Sequence, residues 1–278
     1  PPGAGKTVLA ASYLRDRRVL ALWYRLGPED GDPVCFLDTL YREALGREAG
    51  WRGEPDRARL EGLWAAQTSG TCLVLDDFSA LGEDSRLEAL LAECFRKVPG
   101  DCNVLVLSQV PPLPVLARAR ANRQMALLDN RALRFTPPES RLLARTLGHG
   151  DTPEGEVDRA HQCARGWAAG LVFLLEHLDR SAAPAGPPEL PPPLYDYFRH
   201  EVLARPHPAE MQGFLQRAAE LPRIEPALAT ELTGRPVSPD FLAELQARYH
   251  FLQPDEESAG TYRLHALFRR FLRLHNAW

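Results

Sequence analysis

The sequence predicts an α/β chain in which a parallel sheet with covering helices is followed by a small helical domain and then a winged-helix domain. Three observations carry this. A glycine-lysine-threonine stretch opens the chain and leads into a helix. Short apolar runs then alternate with helical segments, and one of them ends in paired carboxylates. In the last third, helical segments are followed by two short strands and a closing helix.

The chain opens Pro1-Pro2-Gly3-Ala4-Gly5-Lys6-Thr7. This is G-x-x-x-x-G-K-[ST] with its first glycine falling one position before Pro1. In such a P-loop the backbone N–H groups and the N-terminus of the next helix surround the β-phosphate of a nucleotide. The lysine reaches the β/γ oxygens and the threonine hydroxyl binds Mg²⁺. Gly3, Ala4, Gly5, Lys6, Thr7 and Val8 are therefore the candidate phosphate-binding residues for ATP or ADP, Lys6 is also a candidate catalytic residue, and Thr7 is a candidate Mg²⁺ ligand. Only two of the 33 basic residues are lysines, Lys6 and Lys97, so Lys6 stands out against an arginine-rich background. Val8 to Leu14 contains good helix formers and no breaker.

Cys72-Leu73-Val74-Leu75-Asp76-Asp77 reads as a buried parallel strand ending in two acids. Acids at the carboxyl end of such a strand sit where open α/β sheets bind ligands. Asp76 is the candidate partner of Thr7 at Mg²⁺, and Asp77 is the candidate catalytic residue that polarises an attacking water. On its own, the Asp76-Asp77 pair also reads as a polar strand end or a helix cap. Val19 to Tyr24 and Val104 to Leu107 supply further strands, and Gln109 beyond the latter is a candidate γ-phosphate sensor. A strand-helix unit intervenes between the loop and the Asp76 strand, so the acid strand is expected not to neighbour the strand that leads into the loop.

Thr136-Pro137-Pro138-Glu139 has the pattern of a capping box with proline at the first helical position, which marks the exit from the sheet domain. Helical segments follow at Leu142 to Leu147, Val157 to Cys163 and Trp167 to Leu178. Between the last two, the small residues of Gly166-Trp167-Ala168-Ala169-Gly170 suit either close helix packing or a nucleotide base. Ser181 to Pro193 holds six prolines in thirteen residues and reads as an extended connection. An aromatic-rich helix begins at Leu194, and further helices are expected at 209–219, 225–233 and 239–248. Strands at 250–253 and 261–264 and a helix from Leu267 to Leu274 complete a winged helix. The expected domains are thus residues 1–135, 136–193 and 194–278.

With 45% apolar and 25% charged residues the composition is that of a soluble globular protein, and no apolar run approaches the length that spans a bilayer. A formal net charge of −4 supplies no global attraction for nucleic acid or an anionic membrane. From Leu194 on, 11 acidic residues face 10 arginines, which argues against direct reading of DNA by the winged helix. Arg269, Arg270 and Arg273 read as a solvated helix face ahead of a phosphate contact. Five scattered cysteines with no C-x-x-C pair fit a reducing cytoplasm. The chain begins with Pro1, so its true start is expected upstream.

In their order, these motifs resemble the large ATP-dependent transcriptional regulators of the maltose-activator type, within the STAND group of signal-transduction P-loop ATPases. The resemblance covers nearly the whole chain. It rests on Trp23-Tyr24-Arg25-Leu26 with Asp32-Pro33 and Phe36-Leu37, on Leu73 to Phe78, on Pro111-Pro112-Leu113-Pro114, on Leu133 to Thr136, on Gly166 to Leu171, and on His265 with Leu267-Phe268-Arg269. It implies a magnesium-dependent ATP/ADP switch with slow hydrolysis, closed over ADP at rest. An inducer small molecule or a regulatory protein would open it, and the ATP-bound form would self-associate. DNA would be reached only through an effector domain that this chain does not contain, with no membrane partner. It also implies that His265 touches the ADP β-phosphate, whereas from the residues alone His265 reads as a half-buried core histidine. Two positions depart from the pattern. Gln109 stands where arginine is usual and cannot place a positive charge on the γ-phosphate, and Ala168 stands where proline is frequent. A remodelling ATPase of the AAA type, or a winged-helix DNA-binding protein with a vestigial nucleotide domain, are the competing readings.

Overall fold

The computed structural model describes residues 1–45, 70–81, 86–95, 98–178, 190–203, 209–234, 236–255 and 258–276. The chain forms two compact units, Lys6–Leu127, and Pro1–Gly5 together with Leu128–Trp278. The class is α/β, with a three-stranded parallel sheet and helices followed by a helical region and a winged helix.

In the unit Lys6–Leu127, helix α1 (Lys6–Asp16) precedes β1 (Ala21–Arg25), α2 (Pro33–Leu45), β2 (Cys72–Asp76), α3 (Arg86–Phe95), β3 (Asn103–Val106) and the short α4 (Ala117–Ala121). The sheet order is β1-β2-β3, with Arg25 opposite Asp76 and Leu75 opposite Val106. Strand β2 is buried at every residue, as a central parallel strand covered on both faces must be. Side chains alternate along it. Leu73 and Leu75 join Phe36, Leu37 and Leu40 of α2 and Leu91 of α3 on one face, while Cys72 and Val74 meet Leu14 of α1 on the other.

The strands differ slightly from expectation. β1 begins two residues later than Val19, because the Val19 N–H bonds the Leu14 carbonyl and closes α1. β2 stops at Asp76, because Asp77 has φ 56° and lies outside the extended region.

The other unit contains α5 (Pro137–Thr146), α6 (Glu154–Ala164), α7 (Ala168–Leu178) and α8 (Pro192–Tyr197), the last continuing as a π-helical stretch from Phe198 to Leu203. The expected cap at Thr136 is present, with its N–H and hydroxyl both donating to the Glu139 carboxylate at 2.7 Å. These two bonds hold the carboxyl below its usual range. The Ser140 hydroxyl meets His161 Nδ1 at 2.8 Å, and Arg141 grips Asp158 with two nitrogens, so α5 and α6 are clamped together. Pro192 and Pro193 belong to α8 rather than to the proline-rich connection. At the first helical positions a proline's missing N–H removes no helical bond. Of the rest of that connection, residues 181–189 lie outside the described residues.

The winged helix comprises α9 (Ala209–Ala218), α10 (Pro226–Thr233), α11 (Pro239–Arg248), the antiparallel pair β4 (Leu252–Pro254) and β5 (Tyr262–Leu264), and α12 (Ala266–Asn276). Ser238 caps α11 by accepting the Phe241 N–H. Beside the wing, buried Asp255 pairs with Arg263 at 2.7 Å and Arg223 at 3.3 Å. One continuous core joins these elements to α6, α7 and α8, with Phe198, Phe214, Phe268 and Phe271 fully buried.

Two of the three α12 arginines, Arg269 and Arg273, are bonded to the neighbouring helix end and are not only a solvated face. Arg269 and Arg273 both donate to the Ala219 carbonyl at 2.9 and 3.0 Å, and Arg273 also pairs with the Glu220 carboxylate at 3.1 Å. Carbonyls at the end of α9 lack intrahelical donors, and these guanidinium groups supply them. Among the described residues no helix is long and apolar enough to cross a membrane, and Cys35, Cys72, Cys102 and Cys163 are free thiols.

Candidate nucleotide-binding site

Gly3 and Gly5 have φ of 66° and 84°, a region that a side chain makes costly, so the G-x-G spacing is a conformational requirement of this loop. A Cβ on Gly3 would also lie 2.6 Å from the Ala169 Cβ and 2.8 Å from the Tyr197 hydroxyl. Ala4 is buried, and Lys6, Thr7 and Val8 form the first turn of α1.

At the carboxyl end of β2, the Thr7 hydroxyl lies 3.3 and 3.2 Å from the two oxygens of Asp76, across 69 residues of sequence. Asp76 is buried and also accepts the Asp77 N–H at 2.9 Å. The structure therefore brings together the two residues that the sequence pairs at Mg²⁺. The set fits that ion. A hydroxyl and a carboxylate are hard oxygen donors, and Mg²⁺ typically takes one or two protein oxygens and leaves its other positions to phosphate and water.

Asp77 faces a different neighbour. The Arg25 Nε donates to it at 2.9 Å and Arg25 Nη2 lies 2.8 Å away. Arg25 was not singled out as a site residue from the sequence, because only the parallel register, with Arg25 beside Asp76, puts it there. Tyr24 preceding it turns its hydroxyl onto buried Asp30 at 2.5 Å, and Asp30 also accepts the Gly27 N–H at 2.7 Å. Burial first, and then the Asp30 carboxylate, raise the Tyr24 phenol far above its ordinary value. This hydrogen-bonded turn explains the tyrosine of the Trp23-Tyr24-Arg25-Leu26 pattern. Gln109 lies beyond the end of β3, after Ser108, whose hydroxyl accepts the Val110 N–H at 3.1 Å.

In the unit that contains Pro1–Gly5, His265 is fully buried rather than half-buried. Its Nε2 lies 2.9 Å from the Ala164 carbonyl, and its Nδ1 is buried with no hydrogen-bond partner among the described residues. Burial pushes its pKa down to about 4, with Arg165 and Arg134 acting in the same direction. The ring is thus neutral near pH 7 and carries its proton on Nε2, facing the carbonyl. A contact from Nε2 to a phosphate would require that bond to break. Gly170 packs closely, since a Cβ on it would sit 2.4 Å from the Trp167 ring.

Residues 199–277 match the MalT winged helix domain. The chain is similar to MalT. Over its whole length it is 26% identical to the HTH-type transcriptional regulator MalT of Yersinia pestis, covering 33% of that protein. Over 98% of its length it is 24% identical to the regulator of the same name from Vibrio cholerae, covering 32% of it. The chain thus spans about a third of the length of the curated relatives it matches, and it is similar to MalT along its length, with the winged-helix match confined to residues 199–277. A Walker-type ATPase of Pyrococcus abyssi superposes with a TM-score of 0.62 at 15% identity, covering 98% of this chain and 89% of that one. That likeness is one of fold.

Proposed function

We propose that this chain is the nucleotide-binding switch module of a MalT-type transcriptional regulator, loaded with ATP or ADP and Mg²⁺. The observation that carries the reading is the meeting of Thr7 with buried Asp76 at the end of β2. The N–H groups of the Gly3–Val8 segment and the Lys6 ammonium bind the phosphates, and Thr7 and Asp76 hold the Mg²⁺ that neutralises phosphate charge. Asp77 orients the attacking water. Its pairing with Arg25 and the uncharged Gln109 both fit slow hydrolysis, which suits a timing device rather than a motor. The ADP form is the resting state, an inducer or partner protein opens it, and the ATP form self-associates. DNA is contacted through a domain outside this chain.

The test is a calorimetric titration of MgADP and MgATP into the wild type and Lys6→Ala. The expected result is binding to the wild type and its loss in the variant. Equal affinities in both proteins would dismiss the P-loop reading.

A further inference from the structure

We propose that Trp167 is a positioning residue through which the winged helix sets the conformation of the nucleotide loop. The inference rests on the nucleotide-binding reading above and assigns its regulation to a named contact. The Trp167 indole N–H donates to the Pro2 carbonyl at 3.0 Å, across 165 residues of sequence, and the Ala169 N–H donates to the Gly3 carbonyl at 3.0 Å. No peptide bond among the described residues is cis, and in a trans peptide the C=O and the next N–H point in opposite directions. Holding the Pro2 and Gly3 carbonyls therefore fixes where the Gly3 and Ala4 N–H groups aim. Those are donors that a phosphate-binding loop offers to its ligand. The Ala169 N–H lies in the first turn of α7, where amides have no partner in their own helix, so its bond to Gly3 satisfies a group that needs one.

The other end of the relay is the Trp167 ring. It stacks on Phe198 at 5.5 Å between centroids and receives the edges of Phe251 at 5.0 Å and His265 at 5.9 Å. Phe251 and His265 both belong to the winged helix and are joined by the bond from the His265 N–H to the Phe251 carbonyl at 2.7 Å. His265 is in turn tied to Ala164, at the end of α6, just before the turn that carries Trp167. Displacing these two rings removes the packing that orients the indole, so the Pro2 carbonyl loses its donor and the Gly3 peptide is free to rotate. In this arrangement His265 influences nucleotide binding through Trp167, with its Nε2 still on Ala164.

The experiment is a double-mutant cycle read by MgADP titration of this chain: wild type, Trp167→Phe, His265→Gln and the double variant, with Lys6→Ala as reference. Phenylalanine keeps a ring but removes the donor, and glutamine can still donate to Ala164. Each single change is expected to weaken MgADP by roughly three- to tenfold, the scale of one hydrogen bond. The double variant should be no weaker than the weaker single, because both break one relay. Ala169→Pro removes the second donor. Pro138 already occupies the same helical position in α5, so this variant tests the loop contact even if Trp167→Phe does not fold. The indole ¹⁵N–¹H resonance that is missing in Trp167→Phe should shift in His265→Gln and on adding MgADP. Fully additive losses, or unchanged affinity in Trp167→Phe and Ala169→Pro while Lys6→Ala abolishes binding, would overturn the relay alone. Equal affinity of wild type and Lys6→Ala would overturn the nucleotide reading, and the relay with it.

Discussion

Asp76 and Asp77 are adjacent in sequence but have opposite surroundings. Asp76 is buried and receives the Thr7 hydroxyl, while Asp77, with its side chain about one-third exposed, adopts a left-handed backbone and meets Arg25. The difference separates their proposed tasks. Asp77→Asn should leave nucleotide affinity within about twofold while single-turnover hydrolysis drops about a hundredfold or more, the usual scale for losing an acid-base group. Equal hydrolysis would make Asp77 a structural residue. The side chain of Arg25 is 78% exposed, so its ion pair contributes little to stability, and Arg25→Ala should move the melting temperature by no more than a degree or two. His265 carries a pH prediction. Its folded pKa, about 4, lies below the ordinary value of 6.5, so the unfolded chain binds the proton more tightly between those values. The stability from keeping the ring neutral is complete above pH 6.5 and is lost as pH falls toward 4, amounting to about 3 kcal/mol. Melting temperatures measured from pH 7.5 to 4.5 should fall less steeply for His265→Gln than for the wild type. Parallel curves would mean that the ring is not buried neutral.

The elements divide by whether their determinants are local. The cap at Thr136 and Glu139, the Ser238 cap of α11 and the helix after Lys6 follow from residues within one turn, and each was legible in the sequence. α12 was legible as a helix, but the role of its arginines was not. Charge on a helix face looks the same whether it meets water, phosphate or another helix's carbonyls, and only the tertiary packing of α12 beside the end of α9 decides for the carbonyls. Replacing Arg269 and Arg273 together by alanine should cost about 2–4 kcal/mol of stability, because the Ala219 and Glu220 carbonyls lose charged donors. The same double variant should leave the chain's binding to nonspecific duplex DNA unchanged. A stable fold with weakened DNA binding would restore the phosphate-contact reading.

For the whole chain, nucleotide binding is linked to stability. MgADP at about 100 times its dissociation constant should add about 2.7 kcal/mol to the unfolding free energy, and Lys6→Ala should abolish that gain in a thermal melt. The sequence by itself determined the α/β class, the P-loop, the Asp76 strand and the order of helices and strands in the winged helix. These are written in short-range patterns: glycines where φ is positive, a buried apolar run of strand length, and caps at fixed offsets. It also paired Thr7 with Asp76, because one motif demands the other. Tertiary structure alone decided that Arg25 holds Asp77, that His265 is fully buried on Ala164, and that the Trp167 indole holds the Pro2 carbonyl. The physical reason is that these contacts join residues 52, 101 and 165 positions apart, through strand register and core packing, and neither periodicity nor local propensity records which distant side chain completes a hydrogen bond.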